Sequence, residues 1–423
     1  MQRGIEMLGT AAKVFRAGAH RVSTPDATLA RVLPLADRMG VTRIANLTGL
    51  DVLGIPVCMA CRPNSRSLAV FQGKGHSLAA AKASALMEAA EAFHAETVDA
   101  PLRFASYEEM RARTCVIDPA LLPRPPESMV DAHTRLLWIE GRDLATGEAT
   151  WVPYELVSAD YACDHPGHGG FVATTNGLGA GNHILEAIAH GLYESIERDA
   201  VTLWRLGGGP ARTASRIDPA SIQSEIIQAL MARFEAVGIE LCLWDATSDI
   251  EVATIVCLAV DDPARDAGSD PELGSGCHAD REVATLRAIM EAAQVRTTFI
   301  SGARDDFESS AFATACRRER LMAARGWSAG RATGGWQEVP SFAGDDIAVD
   351  LAEVLRRLER RGVERAVWVD LTKPGFELPV ARVIVPGLEA PHQVEARPGR
   401  RAQAARRPSS AARDWAESAS RVH

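Results

Sequence analysis

The chain has 423 residues, enough for one large domain or two to three ordinary ones, and 47% of them are hydrophobic, which predicts a folded core. A formal net charge of -9 gives no basic surface of the kind that binds duplex nucleic acid. No stretch approaches the roughly 20 consecutive apolar residues of a membrane span, and the N-terminus lacks the apolar core of a signal peptide. We therefore expect a soluble cytoplasmic protein that binds neither nucleic acid nor membranes.

The N-terminal part predicts a helix followed by strands. Thr24 precedes the apolar spacing of PDATLARVLPLADRMG, which is typical of a capped amphipathic helix, and GIPVCMAC has the composition of a buried strand. Cys58 and Cys61 in that strand form a C-x-x-C motif, which also suits a metal or redox pair. Residues three apart on a strand point to opposite faces, so packed thiols are the better interpretation.

The middle of the chain predicts two long helices with strands between them. An Ala-rich helix spans about residues 77–98, and residues 101–135 resemble a loop that contains several prolines. A β-hairpin turns near Gly147, and residues 171–175 suggest another strand. NGLGAGN is typical of a turn, and the second long helix follows it at about 183–204.

The last part predicts further α/β structure and a tail. A helix and two strands precede a glycine turn at Gly274–Gly276, and a third long helix follows at about 279–300. DLAEVLRRLERRG, AVWVDL and VARVIVPGL predict one more helix and two strands. From Arg397 the chain is rich in Arg, Ala and Ser without a core pattern, which predicts a mobile tail. The expected divisions are an N-terminal helix and strand portion (1–62), a core (63–390) and a disordered tail (391–423).

The three long helices share one spacing of polar residues. Positions four and three apart form a single helical stripe, and the intervening residues are mostly Ala, Leu, Ile and Met. Acidic residues rarely sit in such helices unpaired, so divalent cations or arginines are expected to neutralise them. The three stripes are Ser84, Glu88 and Glu91; His190, Glu194 and Glu197; and Arg287, Glu291 and Gln294.

Glycines precede each of these helices: Gly73 and Gly75, then Gly177, Gly179 and Gly181, then Gly274 and Gly276. Glycine turns at helix N-termini leave backbone N–H groups free for phosphate, and acidic Mg²⁺ ligands beside them would make a nucleotide triphosphate site. A single acidic stripe is usually only a solvated face, and the Walker A pattern G-x-x-x-x-G-K-[ST] does not occur in the chain. Three stripes with one spacing favour the nucleotide site.

These segments also resemble a known family. FQGKGHSLAAAKASALMEAAEAFHAE, TTNGLGAGNHILEAIAHGLYESIERDA and ATLRAIMEAAQVRTTFISGARDD are similar to the three ATP-site blocks of YcaO proteins, and the similarity extends from about residue 16 to 388. The resemblance implies an α/β (α+β) fold in which mixed sheets are packed by long acidic helices that hold ATP and Mg²⁺. One position departs from the pattern: the first block usually ends Glu-Arg, but Ala92 follows Glu91 here.

The resemblance assigns roles to individual residues. Glu194, Glu197 and Arg198 would be catalytic. The residues implied as Mg²⁺ ligands are Glu88, Glu91, Glu194, Glu197 and Glu291. Those implied in binding ATP are Arg21, Ser84, Glu88, Asn176, Gln294 and Arg296.

The family activity implied by the resemblance is O-phosphorylation of a peptide backbone amide, which makes its oxygen a good leaving group. A nucleophile then attacks the carbon: a side-chain Cys, Ser or Thr gives an azoline, sulfide a thioamide and an amine an amidine. Azoline-forming members commonly end in Pro-x-Pro-x-Pro, which is absent from this sequence. We therefore expect thioamide formation on a peptide substrate beside a TfuA-like partner, with azoline formation as the alternative.

Other interpretations stay open from the sequence alone. The chain could be a non-catalytic accessory protein of the same family, or an unrelated helical protein whose acidic stripes are solvated. The oligomeric state is open, with a homodimer as one candidate. Cys163, Asp164, His165 and His168 lie in a glycine-rich loop, where they suit either a zinc site or a polar loop near the site entrance.

Overall fold

The computed structural model describes residues 2–261, 272–304, 314–332 and 334–406. The helices are α1 (Arg3–Glu6), α2 (Pro25–Val32), α3 (Leu78–Glu96), α4 (Tyr107–Arg111), α5 (Ile184–Leu206), α6 (Gly208–Ala214), α7 (Glu225–Ala236), α8 (Arg281–Ser301), α9 (Thr314–Ser328), α10 (Ile347–Arg360) and α11 (Arg400–Ala405). The strands are β1 (Arg43–Asn46), β2 (Val57–Cys61), β3 (Val70–Lys74), β4 (Leu102–Ser106), β5 (Arg135–Asp143), β6 (Ala149–Pro153), β7 (Leu178–Ala180), β8 (Ile239–Asp245), β9 (Ala253–Asp261), β10 (Glu272–His278), β11 (Val367–Asp370) and β12 (Val380–Ile384).

The strands form three sheets with helices against them, which confirms the predicted α+β class. The sheets have the orders β1-β2-β3, β10-β9-β8 and β4-β5-β11-β12-β7, with β6 paired to β5. The strand pairs in these sheets are all antiparallel, so the expected mixed sheets are antiparallel instead. The expected division at residue 62 falls between β2 and β3, which pair with each other.

The three long helices predicted from the sequence are present as α3, α5 and α8, each immediately after an edge strand of its sheet: β3, β7 and β10. The side chains of Ser77, His183 and Asp280 cap the helices by accepting a hydrogen bond from a backbone N–H of the first turn. Each cap stands eleven positions before the first carboxylate of the stripe: Ser77 and Glu88, His183 and Glu194, Asp280 and Glu291.

The paired glycines belong to the strands and their ends, not to free phosphate-binding turns, which corrects the expectation. Two glycines two positions apart lie on the same face of a strand, and here that face meets the following helix. A Cβ atom at Gly73 would lie 2.0 Å from the Ala85 nitrogen, and one at Gly274 would lie 2.2 Å from the Ala288 oxygen. The glycines therefore permit a close approach of strand and helix backbones.

The three strand–helix units close into a ring. Besides its own strand, α3 contacts β7, α5 contacts β10 and α8 contacts β3. We call this arrangement, made of β3–α3, β7–α5 and β10–α8, the three-unit ring. It brings one face of each acidic helix to the place where the units meet.

In the middle of the chain, two segments differ from the expected structure. Residues 101–135 are not only loop, because they contain β4 and α4, and α4 begins with a capping box formed by Ser106 and Glu109. β4 pairs with β5 although its side chains are mostly exposed, so it lacked the apolar alternation of a buried strand. Residues 171–175 are not a strand, whereas β7 lies within the expected turn.

Part of the expected mobile tail is ordered. Residues 391–406 pack against the core, and α11 contacts α5. Arg401 forms ion pairs with Asp199 at 2.9 Å and with Asp249 at 2.6 Å, and Glu389 accepts hydrogen bonds from the backbone N–H groups of Gly399 and Ala402. The side chain of Asp199 is fully buried, so Arg401 supplies the charge that this carboxylate requires. Residues 407–423 lie outside the described residues.

No helix in the described ranges is long and apolar enough to cross a membrane.

Candidate active site

Five carboxylates from the three long helices lie close enough to act on one another electrostatically where the units of the ring meet, and we call this place the recess. They are Glu88 and Glu91 of α3, Glu194 and Glu197 of α5, and Glu291 of α8. Burial, followed by the neighbouring Glu88 and Glu194 carboxylates, raises the pKa of Glu91 well above its ordinary value. The recess is open to water, because the side chains of Glu194 and Glu291 keep 19% and 25% of their exposure and Glu88 is exposed.

The last member of each stripe forms a hydrogen bond with the strand of the next unit. Glu91 accepts a hydrogen bond from the Ala180 N–H at 2.7 Å, and Glu197 accepts one from the Ser275 hydroxyl at 2.7 Å. In the third unit, the Gln294 amide donates to the Gln72 carbonyl at 3.3 Å. The stripes thus join the units to one another and fix the side chains that carry the charge.

Basic side chains lie among the carboxylates. The Arg198 guanidinium is 3.4 Å from both Glu194 and Glu197, and the Lys74 amine donates to Glu291 at 3.2 Å. Burial would raise the pKa of Glu291, but Lys74 and Arg198 lower it below its ordinary value. Although burial opposes it, the pKa of Arg198 is raised by Glu197, Glu194 and Glu291, so the guanidinium stays charged.

The remaining carboxylates are incompletely neutralised. The surrounding protein raises the pKa of Glu88 from 4.5 to about 7 by removing part of the water around it, although the side chain keeps contact with water in the recess; Lys74 opposes the shift and Glu194 adds to it. Burial also raises the pKa of Glu197, against the charge of Arg198. Carboxylates with raised pKa values in an open recess favour a bound cation, which would restore their charged form.

Comparison with known proteins identifies the family. A sequence family described as YcaO cyclodehydratase, ATP- and Mg²⁺-binding, matches residues 72–389. The chain belongs to the YcaO family. ATP and Mg²⁺ are the cofactors of YcaO proteins, as the sequence predicted.

Curated relatives cover most of the chain. An uncharacterized protein encoded in the tfuA 3′ region of Rhizobium leguminosarum bv. trifolii is 37% identical over 374 residues, 87% of this chain and 88% of the relative. An uncharacterized protein of Methanothermobacter thermautotrophicus is 36% identical over 382 residues, 89% of this chain and 97% of the relative.

Solved structures share the fold. The structure of YcaO from Methanopyrus kandleri bound with AMPPCP and Mg²⁺ has a TM-score of 0.70 and 24% identity, covering 89% of this chain and 94% of that one. A heterocyclase in complex with substrate and cofactor has a TM-score of 0.74 and 23% identity over 90% of this chain. This chain spans only 54% of the heterocyclase.

The donor set of the recess fits the YcaO cofactors in its chemistry. Carboxylate oxygens are ligands that Mg²⁺ prefers, and Arg198 and Lys74 suit phosphate oxygens. In the arrangement seen over the described ranges, no three His, Cys, Asp or Glu side chains are gathered closely enough to hold a metal ion, and Arg198 lies against both Glu194 and Glu197. Binding Mg²⁺ therefore requires these side chains to turn toward the ion.

Most other residues that the YcaO resemblance assigned to ATP also lie near the recess. Arg21 is close enough to lower the pKa of both Glu91 and His190, although burial acts more strongly on each. Ser84 is half-buried one turn before Glu88 on α3. The Oδ1 atom of Asn176 is buried without a hydrogen-bond partner in the described structure, as expected of a group that awaits a ligand.

Arg296 was expected to bind ATP, but the structure gives its guanidinium a different contact. It is buried and forms ion pairs with Asp51 at 3.0 Å and Asp261 at 2.8 Å. Asp51 is distant in sequence and belongs to a loop, so no local pattern indicated the pairing. Arg296 therefore ties α8 to β9 and to the loop after β1.

Two basic residues near the carboxylates were not among those predicted from the sequence. Lys74 stands between Gly73 and Gly75 at the end of β3, and this position beside the first block was a usable signal. Arg382 of β12 is buried, and its Nε and Nη1 atoms have no hydrogen-bond partner in the described structure. It lines a small cavity of about 50 Å³ together with Asn176, and an arginine in the apolar run VARVIV was the only hint.

The glycine-rich loop with Cys163, Asp164, His165 and His168 contributes none of the five carboxylates of the recess. Cys163 is exposed, and the His168 Nε2 atom is 3.5 Å from Asp164. The rings of His165 and His168 are 5.3 Å apart and meet edge to face. The two cysteines of the C-x-x-C motif lie on β2, where Cys58 is buried and Cys61 is half-buried. This difference agrees with the predicted strand, in which they point to opposite faces.

Proposed function

We propose that this protein is an ATP- and Mg²⁺-dependent enzyme that phosphorylates backbone amide oxygens of a peptide, and that the modified amide becomes a thioamide. The γ-phosphoryl group passes to the amide oxygen, sulfide adds to the carbon, and phosphate leaves with that oxygen. The observation that supports this proposal is the open recess of five carboxylates with Arg198 and Lys74 among them. Phosphoryl transfer depends on such charge neutralisation and positioning more than on covalent chemistry.

The residues of the recess would divide the work. Glu88, Glu91, Glu194, Glu197 and Glu291 would hold Mg²⁺, which supplies charge neutralisation for the phosphates when bound. Arg198, kept charged by Glu194 and Glu197, would contact the transferred phosphoryl group.

The thioamide product rests on gene context. The Rhizobium relative is encoded in the tfuA 3′ region, and 37% identity over most of both chains makes a shared reaction a reasonable proposal. A TfuA-like protein would then be the partner of this enzyme. The peptide substrate is supported by related folds, which include a microcin synthetase complex with pro-MccB17 bound.

Mg·ATP binding and turnover test the enzyme proposal. Mg·ATP should raise the unfolding temperature of the wild-type protein, and Glu194→Ala should lose this rise together with at least about 100-fold of ATP turnover. The matched control is Glu235→Ala, because Glu235 is an exposed carboxylate of α7. No rise with Mg·ATP in the wild-type protein would contradict the proposal, and binding without turnover in the presence of peptide and partner would indicate an accessory protein.

The mass of the modified peptide distinguishes the reactions. Exchange of oxygen for sulfur adds about 16 Da, whereas azoline formation loses one water, about 18 Da. We expect the gain, in a reaction that contains peptide, sulfide donor and TfuA-like partner. A loss of water would replace the thioamide proposal with the azoline alternative.

A further inference from the structure

A cavity of about 290 Å³ lies beyond the carboxylate recess, at the C-terminal end of α5. Its walls come from the end of α5, from α6, from Trp327 of α9 and from the segment 389–406. We call it the α5 cavity. Four arginines line it, Arg205, Arg212, Arg397 and Arg406, beside apolar side chains that include Leu206, Val394 and Ala402.

Two of these arginines, Arg205 and Arg212, form no ion pair with any residue that the structure describes. Arg212 is only 9% exposed, and the Nε atom of Arg205 is buried without a hydrogen-bond partner. Neither guanidinium forms a hydrogen bond or ion pair anywhere in the described ranges of the chain; both lie over the ring of Trp327, at 5.6 and 4.6 Å from its centre. The nearby Glu389 carboxylate also lines the cavity but accepts hydrogen bonds from Gly399 and Ala402.

Burying unpaired cations is costly, so their presence needs an explanation. Burial and then the charge of Arg212 lower the pKa of Arg205 to about 10. An arginine that destabilises the empty protein is expected where an anion is bound. The volume exceeds that of an inorganic anion, and the apolar walls favour a carboxylate on an organic chain.

The α5 cavity and the carboxylate recess lie along the same helix. Arg198 and Arg205 lie seven residues apart on α5, which corresponds to about 10 Å along the helix axis. His392 lines the cavity, and burial, followed by the charges of Arg205 and Arg198, lowers its pKa to about 3. An extended peptide covers about 10 Å in three residues.

We propose that the α5 cavity binds a carboxylate of the peptide substrate, an acidic side chain or the C-terminal carboxylate, about three residues from the amide held near Arg198. This proposal rests on the proposed function, because it takes the ligand to be the peptide that is modified. Arg205 and Arg212 would bind the carboxylate while Trp327 packs against the adjacent chain.

Calorimetric titration with small carboxylates tests the site on the full chain. Hippurate carries a terminal carboxylate and N-acetylglutamate α-amide a side-chain carboxylate, so the tighter of the two identifies the source; hippuramide and N-acetylglutaminamide are their neutral controls. We expect at least one carboxylate to bind, and both neutral controls to bind at least 10-fold more weakly.

Three variants separate recognition from folding. Arg205→Gln should weaken the carboxylate at least 10-fold yet unfold at the same or a higher temperature than wild type, because it removes an unpaired buried charge. Arg205→Lys should keep part of the affinity. Arg400→Gln, which removes an exposed charge of α11 outside the cavity, should bind like wild type. Should Arg205→Gln fold poorly, Arg212→Gln serves as the second test with the same expectation.

The failures are distinguishable. Equal binding of the carboxylates and their neutral controls, or unchanged carboxylate binding in Arg205→Gln and Arg212→Gln, would overturn the site. Tighter binding of inorganic phosphate than of either carboxylate would also overturn it. Mg·ATP is titrated separately. If the wild-type protein binds the carboxylate but not Mg·ATP, the carboxylate site stands and the proposed function is overturned. If it binds Mg·ATP but no carboxylate, only the carboxylate site is overturned.

Discussion

Changing Glu88 to Gln should alter how the stability of the ligand-free protein depends on pH. The folded protein raises the pKa of this carboxyl from 4.5 to about 7, through burial and the neighbouring Glu194. Between these values the native state binds more protons than the unfolded state, so stability must fall as the pH rises from 4.5 to 7. Glutamine cannot titrate, and its variant lacks this contribution.

The magnitude follows from the shift. Each pKa unit corresponds to about 1.4 kcal/mol, but Glu88 is exposed to water, which screens its neighbours, so the full shift overstates the effect. We expect the free energy of unfolding of the wild-type protein to fall by about 1–2 kcal/mol more than that of Glu88→Gln between pH 5 and pH 8. Urea denaturation without Mg²⁺ or nucleotide, at four pH values, measures the difference.

Mg·ATP should reverse the sign of this dependence. The metal binds the charged carboxylates, so its stabilising effect on the wild-type protein should grow as the pH rises through 7. Parallel pH curves for the ligand-free wild type and Glu88→Gln would refute the reasoning, since they would mean that neither partial desolvation nor the Glu194 carboxylate raises the pKa of Glu88.

Three further predictions concern the scaffold. Arg296→Gln should lower the free energy of unfolding by about 3–5 kcal/mol, because it removes the ion pairs that Arg296 forms with the buried side chains of Asp51 and Asp261. The affinity of the folded fraction for Mg·ATP, measured by calorimetry, should stay within a few-fold. A large loss of affinity with unchanged stability would return Arg296 to the ATP site. Arg401→Ala should lower the free energy of unfolding, measured by urea denaturation, by a similar amount, and adding Asp199→Asn should restore most of the lost stability. No restoration in the double variant would contradict the pairing of Arg401 with Asp199. Burial lowers the pKa of His94 from 6.5 to about 4, so its contribution to the free energy of unfolding is complete above about pH 6.5 and is lost as the pH falls toward 4. Over this range the free energy of unfolding of His94→Gln should therefore fall by about 3 kcal/mol less than that of the wild type. Identical acid denaturation curves for the two proteins would exclude this.

The long helices and their acidic stripes could be predicted from the sequence because their signals are local. Capping residues and the spacing of apolar residues gave α3, α5 and α8 to within a few positions. The common spacing of the polar stripes also indicated that their carboxylates belong to one site. These signals need no knowledge of distant residues.

The remaining features depend on partners far away in the chain. The partner of Arg296 in the loop after β1 and the partner of Arg401 on α5 are more than 200 positions away, and no periodicity reports such pairs. The sequence predicts turns where β7 and β10 lie, because their glycines lack the β-branched composition of strands. Their purpose, close contact with a helix, is visible only in three dimensions.

The three-unit ring makes the catalytic region indivisible. A Walker-type nucleotide site occupies one stretch of chain and can be recombined with other domains, whereas here each acidic helix also contacts the strand of another unit, which lies far away in the sequence. The shortest fragment that contains all three units runs from Val70 to Ser301, so neither truncation to one unit nor grafting of one unit should yield a nucleotide-binding module. Evolutionary novelty in this architecture should therefore enter through insertions in the connections between units, which leave the ring closed.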